Sequence, residues 1–180
     1  MPTALLVIDV QQAFCEGKAA AFEVARVIER INVASAKARA AGAPVIFVQH
    51  ETPAGLLAHG TPAWQLAQGL ETAAGDLFIR KTTPDSFQKT DLEATLTRHG
   101  VTEVAICGLH SEFCVDTTTR RAAALGYPVT LVADAHSTQD KEHLSAAQII
   151  RHHNETLTNV TSFGPRIRAV PAAAVEFGAG

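Results

Sequence analysis

At 180 residues, 47% of them apolar, the chain has the length of one domain and enough apolar surface for a sizeable core. Its 15 Lys and Arg against 18 Asp and Glu are scattered, which leaves no electrostatic footprint for nucleic acid or an anionic membrane surface. No apolar run reaches the ~18 residues of a membrane span, and the odd, widely spaced cysteines (Cys15, Cys107, Cys114) argue against a disulfide framework and for a reducing, cytoplasmic compartment.

Ala4–Val10 (ALLVIDV) is an apolar run interrupted by Asp9. It resembles the apolar part of a signal peptide, but the missing basic leader and the early carboxylate favour a first buried strand. Residues 22–42 place Phe22, Val24, Val27, Ile28, Ile31 and Ala34 near helical spacing, with Gly42 as a stop. Pro44–Gln49 is a second strand. From His50 to Asp76 the chain is irregular and rich in Gly and Pro, a length of connection that often forms a site lid or a subunit contact. Leu77–Lys81 is a third strand. Thr90–Gly100 is a helix with Thr90 and Glu93 in the capping-box pattern and Gly100 closing it. Residues 103–108 (EVAICG) form a fourth strand, residues 113–127 its helix, ended by Gly126, and Val129–Asp134 a fifth strand. A further helix is expected over residues 142–157 and a sixth strand over Arg166–Val170.

Two-sided apolar strands alternating with helices predict an α/β fold. The expected form is a doubly wound, mainly parallel six-stranded sheet with helices on both faces, in one domain over residues 1–180. The functional crevice of such a sheet lies at the carboxyl ends of its central strands. Asp9, Lys81 and Cys114 all fall there. A nucleophile, a carboxylate able to take its proton and an orienting cation form a set for nucleophilic catalysis. A helix N-terminus and a nearby cation predict a Cys114 thiol lowered from ~8.5 to roughly 3.5–7.5. Each residue also has a plain alternative: Asp9 as a cap or metal ligand, Lys81 as surface, Cys114 as packing. Other chemistries of similar sheets lack their motifs here. There is no GxGxxG, no P-loop, no CxxC, no GxSxG and no second acid two residues after Asp9.

Three segments, in order, resemble the isochorismatase-like cysteine hydrolases, a family that includes nicotinamidases, N-carbamoylsarcosine amidase and streptothricin hydrolase. They are LLVIDVQQAF (residues 5–14), IRKTTPDSFQKTDLEATL (79–96) and GLHSEFCVDTT (108–118), followed by the fitting YPVTLVADAHST (127–138). The resemblance implies that Asp9 is the general base, Lys81 the catalytic lysine and Cys114 the nucleophile. It implies a non-proline cis peptide between Leu109 and His110, which turns the backbone N–H groups of His110 and Cys114 into an oxyanion hole. It further implies no cofactor and assembly as a homodimer or homotetramer. Gln11, Phe14, Trp64, Leu109 and Glu112 become candidate substrate-binding residues, although Trp64 can equally anchor its loop and Glu112 a solvated face. The chain departs from the family pattern at His110, where a small residue or Gln is usual, and at Ser111, where Thr is usual. The role of the imidazole is left open.

Nicotinamidases carry an Asp-x-His metal pair after the second strand. The matching VQHETP places His50 near the Asp and Thr52 near the His, without neighbouring carboxylates, so no metal is expected, including at His50 and His59. His152 and His153 read as a polar helix face, His136 as a turn residue, Cys107 as core and Cys15 as packing. The first functional reading is a cysteine hydrolase that cleaves a C–N bond of a small amide, ureide, imide or lactam through a thioester. A second is the vinyl-ether hydrolysis of true isochorismatases, which lack the cysteine. A third is a binding protein without catalysis.

Overall fold

The first strand, β1 (Thr3–Ile8), is buried at every residue. Leu5 and Val7 enter one apolar layer and Ala4, Leu6 and Ile8 the other, the alternation that a two-residue period imposes. The computed structural model describes residues 2–178. In it β1 pairs with β2 (Val45–His50) on one side and β4 (Glu103–Leu109) on the other. β3 (Leu77–Lys81) lies outside β2, and β5 (Val129–Ser137) and β6 (Ile167–Val170) lie beyond β4. The order is β3-β2-β1-β4-β5-β6, and every pairing is parallel.

Helices cover both faces, as the strand pattern requires. The helix α1 (Val24–Ala40) packs Val27, Ile28, Ile31 and Ala34 over Leu5, Val7 and Phe47. On the other face α2 (Leu92–Arg98), α3 (Asp116–Ala124) and α4 (Ala146–Thr158) pack Leu92, Leu96, Ala122 and Leu157 over Leu6, Ile8 and Ile106. Winding reverses between β1 and β4, so the connections leaving these two strands diverge and open a crevice at their carboxyl ends. No helix among the described residues is long and apolar enough to cross a membrane.

Several boundaries differ from the sequence expectation. The fifth strand runs on to Ser137, because β5 bulges: Leu131 pairs with Ile106, yet Gly108 pairs with His136. The helix expected over 113–127 begins as a π-helical turn, Ser111–Val115, and becomes α-helical at Asp116. The capping box expected at Thr90 does not form. The Thr90 hydroxyl donates to Ser86 O at 2.6 Å, and α2 starts at Leu92 without a side-chain cap. The capping box stands instead at Ser145 and Gln148, so α4 begins at Ala146 rather than at residue 142.

Candidate active site

Where β1 ends, Asp9 adopts a left-handed φ of 52° and donates its N–H to Val48 O at 2.8 Å. The adjacent strand reaches this point only because residue 108 is glycine. A Cβ on Gly108 would stand 2.1 Å from Ile8 O, and its φ of 115° disfavours any side chain. At the end of β3, two strands away, Lys81 turns inward and is 1% exposed, as is Asp9. A buried charge persists when it is paired and hydrogen-bonded. Lys81 Nζ donates to Asp9 Oδ2 at 2.7 Å and to Thr83 O at 3.1 Å, and lies 3.3 Å from both Cys114 Sγ and His50 Nδ1. Asp9 Oδ1 is buried without a hydrogen-bond partner among the described residues.

Cys114 sits in the π-helical turn after β4, where Val115 N–H reaches back to His110 O at 3.2 Å. The Leu109–His110 peptide is cis, at the bond the family resemblance implies. Burial, and next the Asp9 carboxylate, push the Cys114 thiol up to about 12, while Lys81 pulls the other way. The resting group is therefore a thiol, not the thiolate expected from a helix N-terminus and a cation. Burial and the Asp9 charge outweigh both.

The other expected residues divide sharply. Gln11 is fully buried, and its amide is committed: Oε1 accepts His50 N–H at 2.9 Å, and Nε2 donates to His50 O and Trp64 O at 3.0 and 2.8 Å. Leu109 lies in the core beneath α1. Phe14 is half-buried and meets the His110 ring edge to face at 4.9 Å. The His110 Nε2 is buried without a partner among the described residues, and burial holds this imidazole below its ordinary range. Trp64 packs edge to face on His59 at 4.6 Å, with its Nε1 buried and unpartnered among the described residues. Glu112 accepts from Thr138 Oγ1 at 2.8 Å and pairs with Lys141 at 3.0 Å. Burial pushes its carboxyl up, but these donors prevail and hold it below the carboxylate range.

Cys107 is fully buried and Cys15 packs against the α1 layer. No group of three or more His, Cys, Asp or Glu among the described residues is arranged to hold a metal ion. His152 is exposed, whereas His153 is half-buried, with Nδ1 2.8 Å from Ile149 O.

Two features went unseen in the sequence. His50 touches the cluster of Asp9, Lys81 and Cys114, and its register opposite Lys81 at the ends of β2 and β3 was the available signal. His136 is not a turn residue. It is 1% exposed, with Ser111 Oγ 2.8 Å from Nδ1 and Asn154 Oδ1 3.0 Å from Nε2. Asn154 in turn donates to Ala133 O at 3.0 Å. Burial pushes His136 down to about 4. The β5 bulge that carries it to this register left no mark in the sequence.

A family model described as Isochorismatase domain matches residues 3–162. The chain belongs to the isochorismatase family. Within that family it is 41% identical to a streptothricin hydrolase of Streptomyces noursei over 179 residues, 95% of this chain and 65% of that protein. The chain thus spans just under two thirds of that relative's length. It is 29% identical to a ureidoacrylate amidohydrolase of Methylobacterium radiotolerans, covering 89% of this chain and 74% of that one. A crystal structure described as an isochorismatase family protein superposes with a TM-score of 0.85 at 38% identity, covering 94% of this chain and 98% of that one.

Proposed function

We propose that this isochorismatase-family hydrolase cleaves the C–N bond of a small amide, ureide, imide or lactam through a thioester on Cys114. The observation that carries the reading is one buried lysine that donates to the Asp9 carboxylate at 2.7 Å and stands 3.3 Å from the Cys114 sulfur. The hydrolase and amidohydrolase names of the relatives support the choice of bond. Asp9, with Oδ1 unengaged among the described residues, takes the thiol proton as sulfur attacks the carbonyl carbon. The C–S bond forms, and the carbonyl electron pair moves to oxygen, where the backbone N–H groups of His110 and Cys114 stabilise it. Collapse breaks the C–N bond, and Asp9 returns the proton to the departing nitrogen. Water, giving a proton to Asp9, then adds to the thioester; the acid leaves and the sulfur regains its proton. Lys81 orients Asp9 and stabilises the sulfur anion. A thiol at rest suits this sequence, because Asp9 has a proton to collect only when the thiol still holds it.

The test is a panel of nicotinamide, maleamate, biuret, ureidoacrylate and lactam substrates, read by ammonia or amine release and, for lactams, by gain of one water. Mass spectrometry of a quenched turnover is expected to find an acyl adduct on Cys114. Turnover of isochorismate alone, with pyruvate released, overturns the reading. Assembly as a homodimer or homotetramer belongs to the same proposal. Light scattering that gives a monomer at micromolar concentration rejects that part alone.

A further inference from the structure

An ammonium group has three hydrogens and no acceptor. Lys81 Nζ has four acceptors within reach: Asp9 Oδ2 at 2.7 Å, Thr83 O at 3.1 Å, His50 Nδ1 at 3.3 Å and Cys114 Sγ at 3.3 Å. The two oxygens are nearest and take one hydrogen each. The third is contested by a nitrogen and a sulfur at equal distance. Lys81 only donates, so its contact with His50 requires Nδ1 to be the bare nitrogen, with the ring hydrogen on Nε2. Burial, and next the Lys81 charge, hold His50 below its ordinary range against the pull of Asp9, Glu51 and a hydrogen bond to the Thr83 backbone, so the ring is neutral. Gln11 fixes its backbone on both sides.

We propose that His50 is a positioning residue that competes with Cys114 for the third Lys81 hydrogen, holding it while the cysteine is a thiol and yielding it when the sulfur becomes an anion. The inference rests on Cys114 being the nucleophile. A neutral thiol is a weak acceptor and loses to imidazole nitrogen. A thiolate receives a charge-assisted hydrogen bond, roughly twice as strong as a neutral one, and wins. The thiol proton goes to Asp9, and Lys81 keeps three hydrogens and its charge throughout. The charged or titratable groups around this contest are Asp9 from β1, Glu51 just past β2 with its partner Arg80, Lys81 from β3, and Cys114. The contest adds to burial and the Asp9 charge in favouring the protonated sulfur until a base collects its proton.

The test needs no substrate. Full-length protein is alkylated with iodoacetamide at pH 7.5, and the rate at Cys114 is followed by peptide mass analysis for wild type, His50→Leu and His50→Asn. Leu keeps the bulk and removes the acceptor, whereas Asn presents an oxygen close to the Nδ1 position. Handing the third hydrogen to sulfur for good lowers the thiol by about one pH unit, the size of one hydrogen bond to a charged group. Thiolate then rises about tenfold and intrinsic nucleophilicity falls about threefold, so His50→Leu is expected to react about threefold faster. His50→Asn is expected to match wild type. A His50→Leu rate at or below wild type overturns the proposal, as does equal acceleration in both variants, which marks mere opening of the site. His50→Phe and His50→Gln repeat the contrast if either variant misfolds. A Cys114 inert in every protein overturns this proposal together with the nucleophile assignment, whereas loss of the contrast alone overturns only the role of His50.

Discussion

Two polar clusters flank the turn that carries Cys114, and they are built on opposite principles. In one, Asp9, Lys81, His50 and Cys114 leave a carboxylate oxygen unpartnered among the described residues and set four acceptors against three hydrogens. In the other, Ser111, His136, Asn154 and Ala133 O form a chain in which every link has its partner. A mismatched cluster can pass a proton from one arrangement to another without leaving the protein. A satisfied one has a single arrangement and holds it. The proposed chemistry uses the first cluster; the second holds geometry.

The largest effects are expected from the mismatched cluster. Cys114→Ala and Asp9→Asn should each lower turnover about 10⁴-fold or more with the fold retained, because the proposed mechanism makes the two one unit. Near-normal steady-state rates in Cys114→Ala would remove the cluster from the chemistry. Lys81→Met strands a buried carboxylate and should cost about 3–5 kcal/mol in urea unfolding. The double variant with Asp9→Asn is expected to be more stable than Lys81→Met alone, since no charge is then left unpaired. Additive losses would mean that the pair is not coupled.

The satisfied cluster should reveal itself through pH. His136 holds a folded value of about 4 against an ordinary 6.5, so between these values unfolding takes up a proton. Its contribution is complete above pH 6.5 and is lost as pH falls towards 4, a change of about 3 kcal/mol. Asp134 and His153 are the titratable neighbours that face it. Urea midpoints at pH 7, 5 and 4 should fall more steeply for wild type than for His136→Gln, and parallel slopes would refute the assignment. The smallest effect is expected at Ser111. Ser111→Ala leaves His136 Nδ1 without its donor, costing about 1–3 kcal/mol in stability, with kcat down about tenfold and KM little changed. Ser111→Thr, which keeps the hydroxyl, should restore both. An unchanged kcat in Ser111→Ala would separate this cluster from the nucleophile turn.

The sequence by itself determined the strand–helix alternation, the parallel sheet and the placing of Asp9, Lys81 and Cys114 at strand ends. These follow from periodicity and position along the chain, which are local properties. The carboxylate, the amine and the thiol also mark themselves, because few apolar strands end on such groups. Their shared contact at Lys81 Nζ was decided by the order β3-β2-β1-β4, which no local pattern contains. Pairing decided the rest. Thr90 carries the same cap signal as Ser145, but its hydroxyl donates to Ser86 O four residues back and accepts the Leu92 N–H, so the reciprocal box is not made. His50 looked like a remnant metal ligand and His136 like a turn residue until strand register set one against Lys81 and a bulge set the other against Ser111. The Cys114 thiol shows the same division. Helix position and a cation argue for a thiolate, whereas desolvation depends on everything packed around the sulfur, and burial decided the outcome.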